Sequence, residues 1–190
     1  MKKFLLCTVL VLCISAINAN AQRTADGQTH ISIGAAYNFS FSASAEIRGG
    51  QYLSFGYWDV GVSAPVYRYM ASQTRKIFDV SHIVAEGQMM FRFFASRTRA
   101  VNLYIGSGVF LGAEVTDLFK NLKDGEFPTL EDGTYCKKTN FIFGLSPRVE
   151  AEFFVFPSTA LLLYARTPLS FLSQYGLFNA EAGLGVRHNF

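Results

Sequence analysis

Cysteine is scarce: Cys7 and Cys13 sit in the opening stretch, and Cys136 is the only one after residue 21. No disulfide can close within residues 22–190, so stability there has to come from packing and polar pairing. Long hydrophobic runs are missing too. Half the chain is hydrophobic and 15% is aromatic, yet nothing after residue 21 approaches the ~20 consecutive apolar residues of a membrane helix. An excess of one charge is also absent, because residues 22–190 carry 15 basic and 14 acidic side chains, a net of +1. That balance leaves no basic patch, and direct nucleic-acid binding is not expected. His30, His82 and His188 are scattered without an HxxxH or HxH spacing, so neither a metal nor a cofactor is expected. Gly106-Ser107-Gly108 and Gly183-Leu184-Gly185 fall in extended segments with no helix to follow, which argues against phosphate-binding loops.

What is present begins with a leader. Lys2 and Lys3 form a positive start, Phe4 to Ile17 an apolar run, and Ala19-Asn20-Ala21 a small-x-small site. This is the pattern of a secretory signal peptide cleaved after Ala21, leaving one domain from Gln22 to Phe190. A lipid-modified Cys13 does not fit, since Leu12 stands where a small residue is wanted.

After the leader, polarity alternates with a period of two. Thr29 to Ser40 places Ile31, Ile33, Ala35, Tyr37 and Phe39 on one face, over a length of roughly ten residues that suits a tilted membrane-crossing strand. A second strand around Ala43 to Arg48 ends at the Gly49-Gly50 pair, read as a turn, and a third runs from about Tyr52 to Val66; Phe55-Gly56 is the other possible boundary between them. Met70 to Ser81 reads as a polar loop. Strand four starts at His82 and ends at the basic turn Ser96 to Ala100, and strand five spans Val101 to Val115. Thr116 to Asn140 is the longest interruption; its start, Asp117 to Gly125, has the composition of a helical turn or two. Strand six, Phe141 to Phe156, turns at Pro157-Ser158 into strand seven, Thr159 to Arg166; a loop, Thr167 to Leu177, leads to strand eight, Phe178 to Phe190. The expected fold is all-β, a transmembrane antiparallel up-and-down barrel of about eight strands. Short and long connections alternate as outer-membrane barrels require, with short turns in the periplasm and long loops outside.

Eight strands enclose a space that side chains can fill. The inward set contains Glu46, Glu86, Glu114, Glu150, Glu152 and Glu181 against Arg48, Arg92, Arg148, Arg166 and Arg187. Arginine without lysine suits buried, bidentate pairing to carboxylates. The reading is a structural lumen charge network, with a proton path or ligand site as the alternative. The neighbouring Glu150 and Glu152 are explained by inner-face spacing without catalysis. His82 beside Ser81 and Asp79 occupies the external rim, where barrel-embedded acyltransferases and phospholipases place their residues; an enzyme is nevertheless not expected. The terminal Phe190 resembles the aromatic end by which barrel-assembly machinery recognises outer-membrane clients.

The segments EGQMMFRFF (Glu86 to Phe94), NLYIGSGVFLGAE (Asn102 to Glu114), FIFGLSPRVEAEFFVFPSTALLLYAR (Phe141 to Arg166) and AEAGLGVRHNF (Ala180 to Phe190) resemble TraO-type proteins of conjugative transposons. The resemblance implies an outer-membrane component of a DNA-transfer apparatus in a Gram-negative bacterium, in contact with outer-membrane lipid and with other transfer proteins through its loops. A stand-alone barrel of the OmpX type, serving adhesion or envelope integrity, is the alternative.

Overall fold

A computed structural model describes residues 25–38, 42–70, 77–97, 100–117, 137–176 and 178–190. The expected leader, Cys136 and the helical turn expected after Asp117 lie outside these residues. Ten strands follow one another: β1 (Thr29–Asn38), β2 (Ser42–Leu53), β3 (Gly56–Ser63), β4 (Val66–Met70), β5 (Ile77–Ala95), β6 (Val101–Thr116), β7 (Thr139–Phe156), β8 (Thr159–Arg166), β9 (Leu169–Phe171) and β10 (Glu181–Asn189).

All pairings are antiparallel, and β10 closes onto β1 in unbroken register from His30↔Asn189 to Asn38↔Glu181. The closed circuit has eight staves. Two of them are interrupted: β3 and β4 both pair with β5 on either side of Ala64-Pro65, and β8 and β9 both pair with β7 on either side of Thr167-Pro168. Proline lacks the ladder donor, yet the Pro65 carbonyl still accepts from the His82 N–H at 2.8 Å, so the stave continues past the break.

Burial alternates along most of each stave. In β10, Glu181, Gly183, Arg187 and Asn189 are buried while Ala182, Leu184, Val186 and His188 are not. A one-residue slip would carry every inward charge to the outside, which pins the register. The outward set is apolar, including Ile33, Val60, Ile83, Val109, Leu111, Leu163 and Leu184, the reverse of a water-soluble sandwich and the polarity of a membrane barrel. Outward aromatics gather near the two rims, Phe91, Phe93, Phe156 and Phe190 at one and Tyr37, Phe141, Phe143 and Phe178 at the other. Phe55 and Phe91 stack at 5.6 Å beside the first rim.

One end of the barrel carries the connections Ser54-Phe55, Ser96 to Ala100 and Pro157-Ser158; the other carries the short link 39–41 and the longer ones that follow β4, β6 and β9. These are called the turn end and the loop end below. Three expectations are corrected. Gly49-Gly50 is no turn: β2 runs through it, with Gly49 facing Val60 and Gly50 facing Asp59, and the hairpin turns at Ser54-Phe55. A Cβ on Gly50 would lie 2.0 Å from the Trp58 carbonyl oxygen, so the glycine serves close strand approach. Met70 to Ser81 is not wholly a loop, because β4 and the start of β5 extend the sheet beyond the break at Pro65, pairing Val66↔Ser81 through Met70↔Ile77. These arms need no apolar outer face; Arg68 and Asp79 pair across them at 3.1 Å in the open. Within Thr167 to Leu177, likewise, Leu169 to Phe171 form β9.

Candidate functional site

Tilted staves bring their inward side chains into layers. Nearest the turn end, Glu152 of β7 is surrounded by donors. Its Oε1 accepts from the Tyr52 hydroxyl and from Arg187 Nη1 at 3.0 Å. Its Oε2 accepts from Asn102 Nδ2 at 3.1 Å and the Tyr104 hydroxyl at 2.9 Å. The Arg187 guanidinium also reaches Glu150 Oε1 at 2.9 Å and lies 4.2 Å above the Tyr57 ring.

The middle layer is held by three more arginines. Arg148 grips Glu150 Oε2 through Nε at 3.1 Å and Nη2 at 2.8 Å, turns Nη1 to Glu46 at 2.9 Å, and stacks 3.8 Å from the Tyr164 ring. Arg48 donates to Glu46 at 3.2 Å, to Asp59 at 3.2 Å and to Glu86. Arg166 spans Glu46 at 3.0 Å and Glu181 at 2.8 Å. Glu181 further accepts from the Tyr67 hydroxyl at 2.8 Å and the Ser44 hydroxyl at 3.1 Å.

The connected cluster therefore contains Glu46, Asp59, Glu86, Glu150, Glu152 and Glu181 against Arg48, Arg148, Arg166 and Arg187, all buried. Carboxylates outnumber guanidiniums, and neutral donors make up the difference: the hydroxyls of Tyr52, Tyr57, Tyr67 and Tyr104 each end on a glutamate. A phenol supplies a hydrogen bond without another charge, which limits the desolvation cost of the cluster. Close packing around it leaves no room for much on a stave's inner face; a Cβ on Gly183 would lie 2.5 Å from Tyr164 Cζ.

Of the lumen residues expected from sequence, Glu46, Arg48, Glu86, Arg148, Glu150, Glu152, Arg166, Glu181 and Arg187 meet in this cluster. Arg92 does not. The ladder between β5 and β6 shifts register between Arg92 and Phe94, and the Arg92 guanidinium instead donates to the Ser54 carbonyl at 2.7 Å, tying down the β2–β3 turn. Glu114 lies apart as well, at the loop end, where Oε2 meets His82 Nε2 at 3.1 Å and the Ser173 hydroxyl at 2.6 Å, and Oε1 accepts from the Gln174 N–H at 3.2 Å. Asp59 and Tyr67 are participants that the sequence reading left out. Asp59 was legible, because Trp58, Val60 and Val62 pointing outward put it inside.

Ser81, His82 and Asp79 do not converge. His82 is buried inward against Glu114 and the Tyr67 ring, 4.9 Å between centroids, whereas Asp79 turns out to Arg68. Phe190 is 71% exposed on the outward face of the closing stave; its N–H bonds the Thr29 carbonyl at 3.0 Å and its ring meets His188 edge-on.

Across the loop end, residues 172–175 form a strap. Leu172 takes a left-handed backbone, φ 64°, and its carbonyl accepts from Asn140 Nδ2. Gln174 Oε1 accepts from the Lys137 N–H at 2.8 Å, and the Tyr175 ring packs 5.4 Å from both Tyr69 and Phe78.

The family model for the conjugative transposon protein TraO matches residues 16–190. The chain belongs to the TraO family. No curated protein matches it. Among solved structures it is similar in fold to the Yersinia pestis attachment invasion locus protein Ail in complex with sucrose octasulfate, with 15% identity, a TM-score of 0.52, and 87% of this chain and 100% of that one covered. The N-terminal β-barrel domain of Pseudomonas aeruginosa OprF is similar too, with 11% identity, a TM-score of 0.51, and 87% and 98% covered. At these identities the likeness concerns the fold, and this TraO family member is accordingly a closed eight-stave transmembrane β-barrel. Its interior is a packed polar core, with charge in the place where a soluble domain carries aliphatic side chains.

Proposed function

We propose that the protein is an outer-membrane part of the apparatus that transfers a conjugative transposon, and that its role there is structural instead of catalytic. The family match across residues 16–190 carries this reading. The site supports it: a lumen filled by interlocked guanidinium and carboxylate groups offers a rigid plug, and its connected charges are engaged with one another. Export through the leader, recognition of Phe190 by barrel-assembly machinery and insertion into the outer membrane of a Gram-negative cell are the steps that bring it to its place. There the apolar exterior meets lipid, and the connections at the two ends meet other transfer proteins; no contact with the DNA itself is proposed.

The test is deletion of the coding sequence in a donor strain, with mating frequency and detergent sensitivity measured together. Loss of transfer with an unchanged envelope is the expected result. Normal mating with a leaky envelope, or with reduced adhesion, would replace this reading by that of a stand-alone barrel. Fractionation of the same strain is expected to recover the protein with outer-membrane lipid, migrating differently on gels before and after heating.

A further inference from the structure

Between the guanidinium–carboxylate cluster and the His82–Glu114 pair, the lumen contains a cavity whose polar wall is formed by Ser63, Tyr67, His82, Glu86, Ser146, Arg166 and Ser170. Ser63 Oγ, Glu86 Oε1, Ser146 Oγ and Arg166 Nη2, buried atoms of four of the lining residues, have no hydrogen-bond partner in the protein. They come from four different staves, β3, β5, β7 and β8, and each residue is at most 5% exposed. Buried polar atoms are paired in the great majority of cases. Four unpaired ones around a single cavity mark a place built for something that bonds to all of them.

The chemistry of the four narrows what that is. Glu86 Oε1 only accepts, Arg166 Nη2 only donates, and the two serine hydroxyls do either. A cation drawn to Glu86 would face the Arg166 guanidinium, and an anion drawn to Arg166 would face the Glu86 carboxylate; these two side chains already approach to 3.5 Å. The wall is thus electrically balanced and selects a neutral group that both donates and accepts. Size excludes organic molecules, because the room for a water-sized body comes to about 10 Å³, close to what one buried water needs. Val84, Phe110 and Pro168 close the apolar side. We propose that this cavity is an internal water site. The bound water donates to Glu86 Oε1 and accepts from Arg166 Nη2, with the Ser63 and Ser146 hydroxyls completing its shell. It extends the polar network from the charged middle layer toward the loop end.

Crystals of the refolded protein, diffracting well enough to show ordered water, provide the test. The expected result is a solvent peak within hydrogen-bond distance of at least three of the four atoms, the usual coordination of a buried water being about three. An empty cavity, or the four atoms bonded directly to one another, would overturn the proposal. So would an anomalous peak in the cavity after soaking with bromide or rubidium, since either would make it an ion site. The variant Ser146→Val fills the space and removes one hydroxyl, and it is expected to lose the peak; a peak that stays in place counts against the assignment. Should Ser146→Val fail to assemble, Ser63→Val gives the same reading from another stave, and the unsubstituted crystals decide the matter regardless.

Discussion

Arg187 of β10 and Glu152 of β7 meet at 3.0 Å although no ladder joins their strands. The stave between them, β8, presents Ala160 opposite Arg187 and Leu162 opposite Glu152. Ala160 is fully buried and small, and it leaves the space over which the guanidinium reaches. Arg187→Ala therefore strips Glu152 and Glu150 of a shared cation in a fully buried site. A loss of about 3–5 kcal/mol is expected for breaking such a buried pair, read as a lower urea midpoint for the refolded barrel. Arg187→Lys should fall between, because an ammonium cannot serve both carboxylates from a fixed fork.

Tyr104 and Glu152 should be coupled. Tyr104→Phe removes the 2.9 Å hydroxyl donor and is expected to cost about 1.5–3 kcal/mol, the range for a hydrogen bond to a charged group. With Glu152→Gln as the second arm, the double variant should lose less than the two single losses combined. Additive losses in urea unfolding would show that the two side chains act independently.

Glycines on the two faces should behave oppositely. A Cβ at Gly183 would sit 2.5 Å from Tyr164 Cζ and 2.7 Å from the Ala35 carbonyl oxygen, so Gly183→Val is expected to abolish the heat-modifiable band. Gly87 is on the outer face, where a Cβ meets nothing closer than Val60 Cγ1 at 3.7 Å. Gly87→Ala should assemble normally, with stability within about 0.5 kcal/mol of the parent.

The charged plug predicts electrical silence. Reconstituted in a planar bilayer, the protein should show no steady conducting steps, as befits an eight-stave barrel filled by its own side chains. Recurrent steps of uniform size would contradict a filled lumen.

Glu114 anchors the strap through Ser173 and Gln174. Glu114→Ala should free residues 172–175 without opening the barrel. Limited proteolysis is the measurement: faster cutting at the loop end is expected, with the heat-modifiable band retained.

Much of this molecule was legible because one physical demand, apolar outside and polar inside, repeats at every second residue. Ile31, Ile33 and Ala35 in β1 or Leu161, Leu163 and Ala165 in β8 could satisfy it only in one phase. Where that demand weakens, the reading failed. β4 and the start of β5 run past the apolar band, and with Arg68 and Asp79 on their face they look like loop. Gly49-Gly50 has the composition of a turn, and only the closeness of the Trp58 backbone explains why it is strand. Arg92 has the inward phase and pairs with Tyr104, but it lies level with the β2–β3 turn, whose Ser54 carbonyl takes its guanidinium. The charge partners were beyond reach for a different reason: Arg148 and Glu46 lie 102 residues apart on staves that do not pair, and alternation says which way a side chain points, not what it meets.

The closing of β10 onto β1 completes the interior charge network as well as the sheet. Glu152 has no guanidinium partner other than Arg187 among the described residues, and Tyr67 and Arg166 converge on Glu181; both of these tying residues arrive with the last stave. Without this stave the barrel would lose its ladders to β1 and β8 and leave bare charge within. Barrel closure is thus enforced electrostatically as well as by the ladders, at the centre of the barrel, by the charged residues of the closing stave.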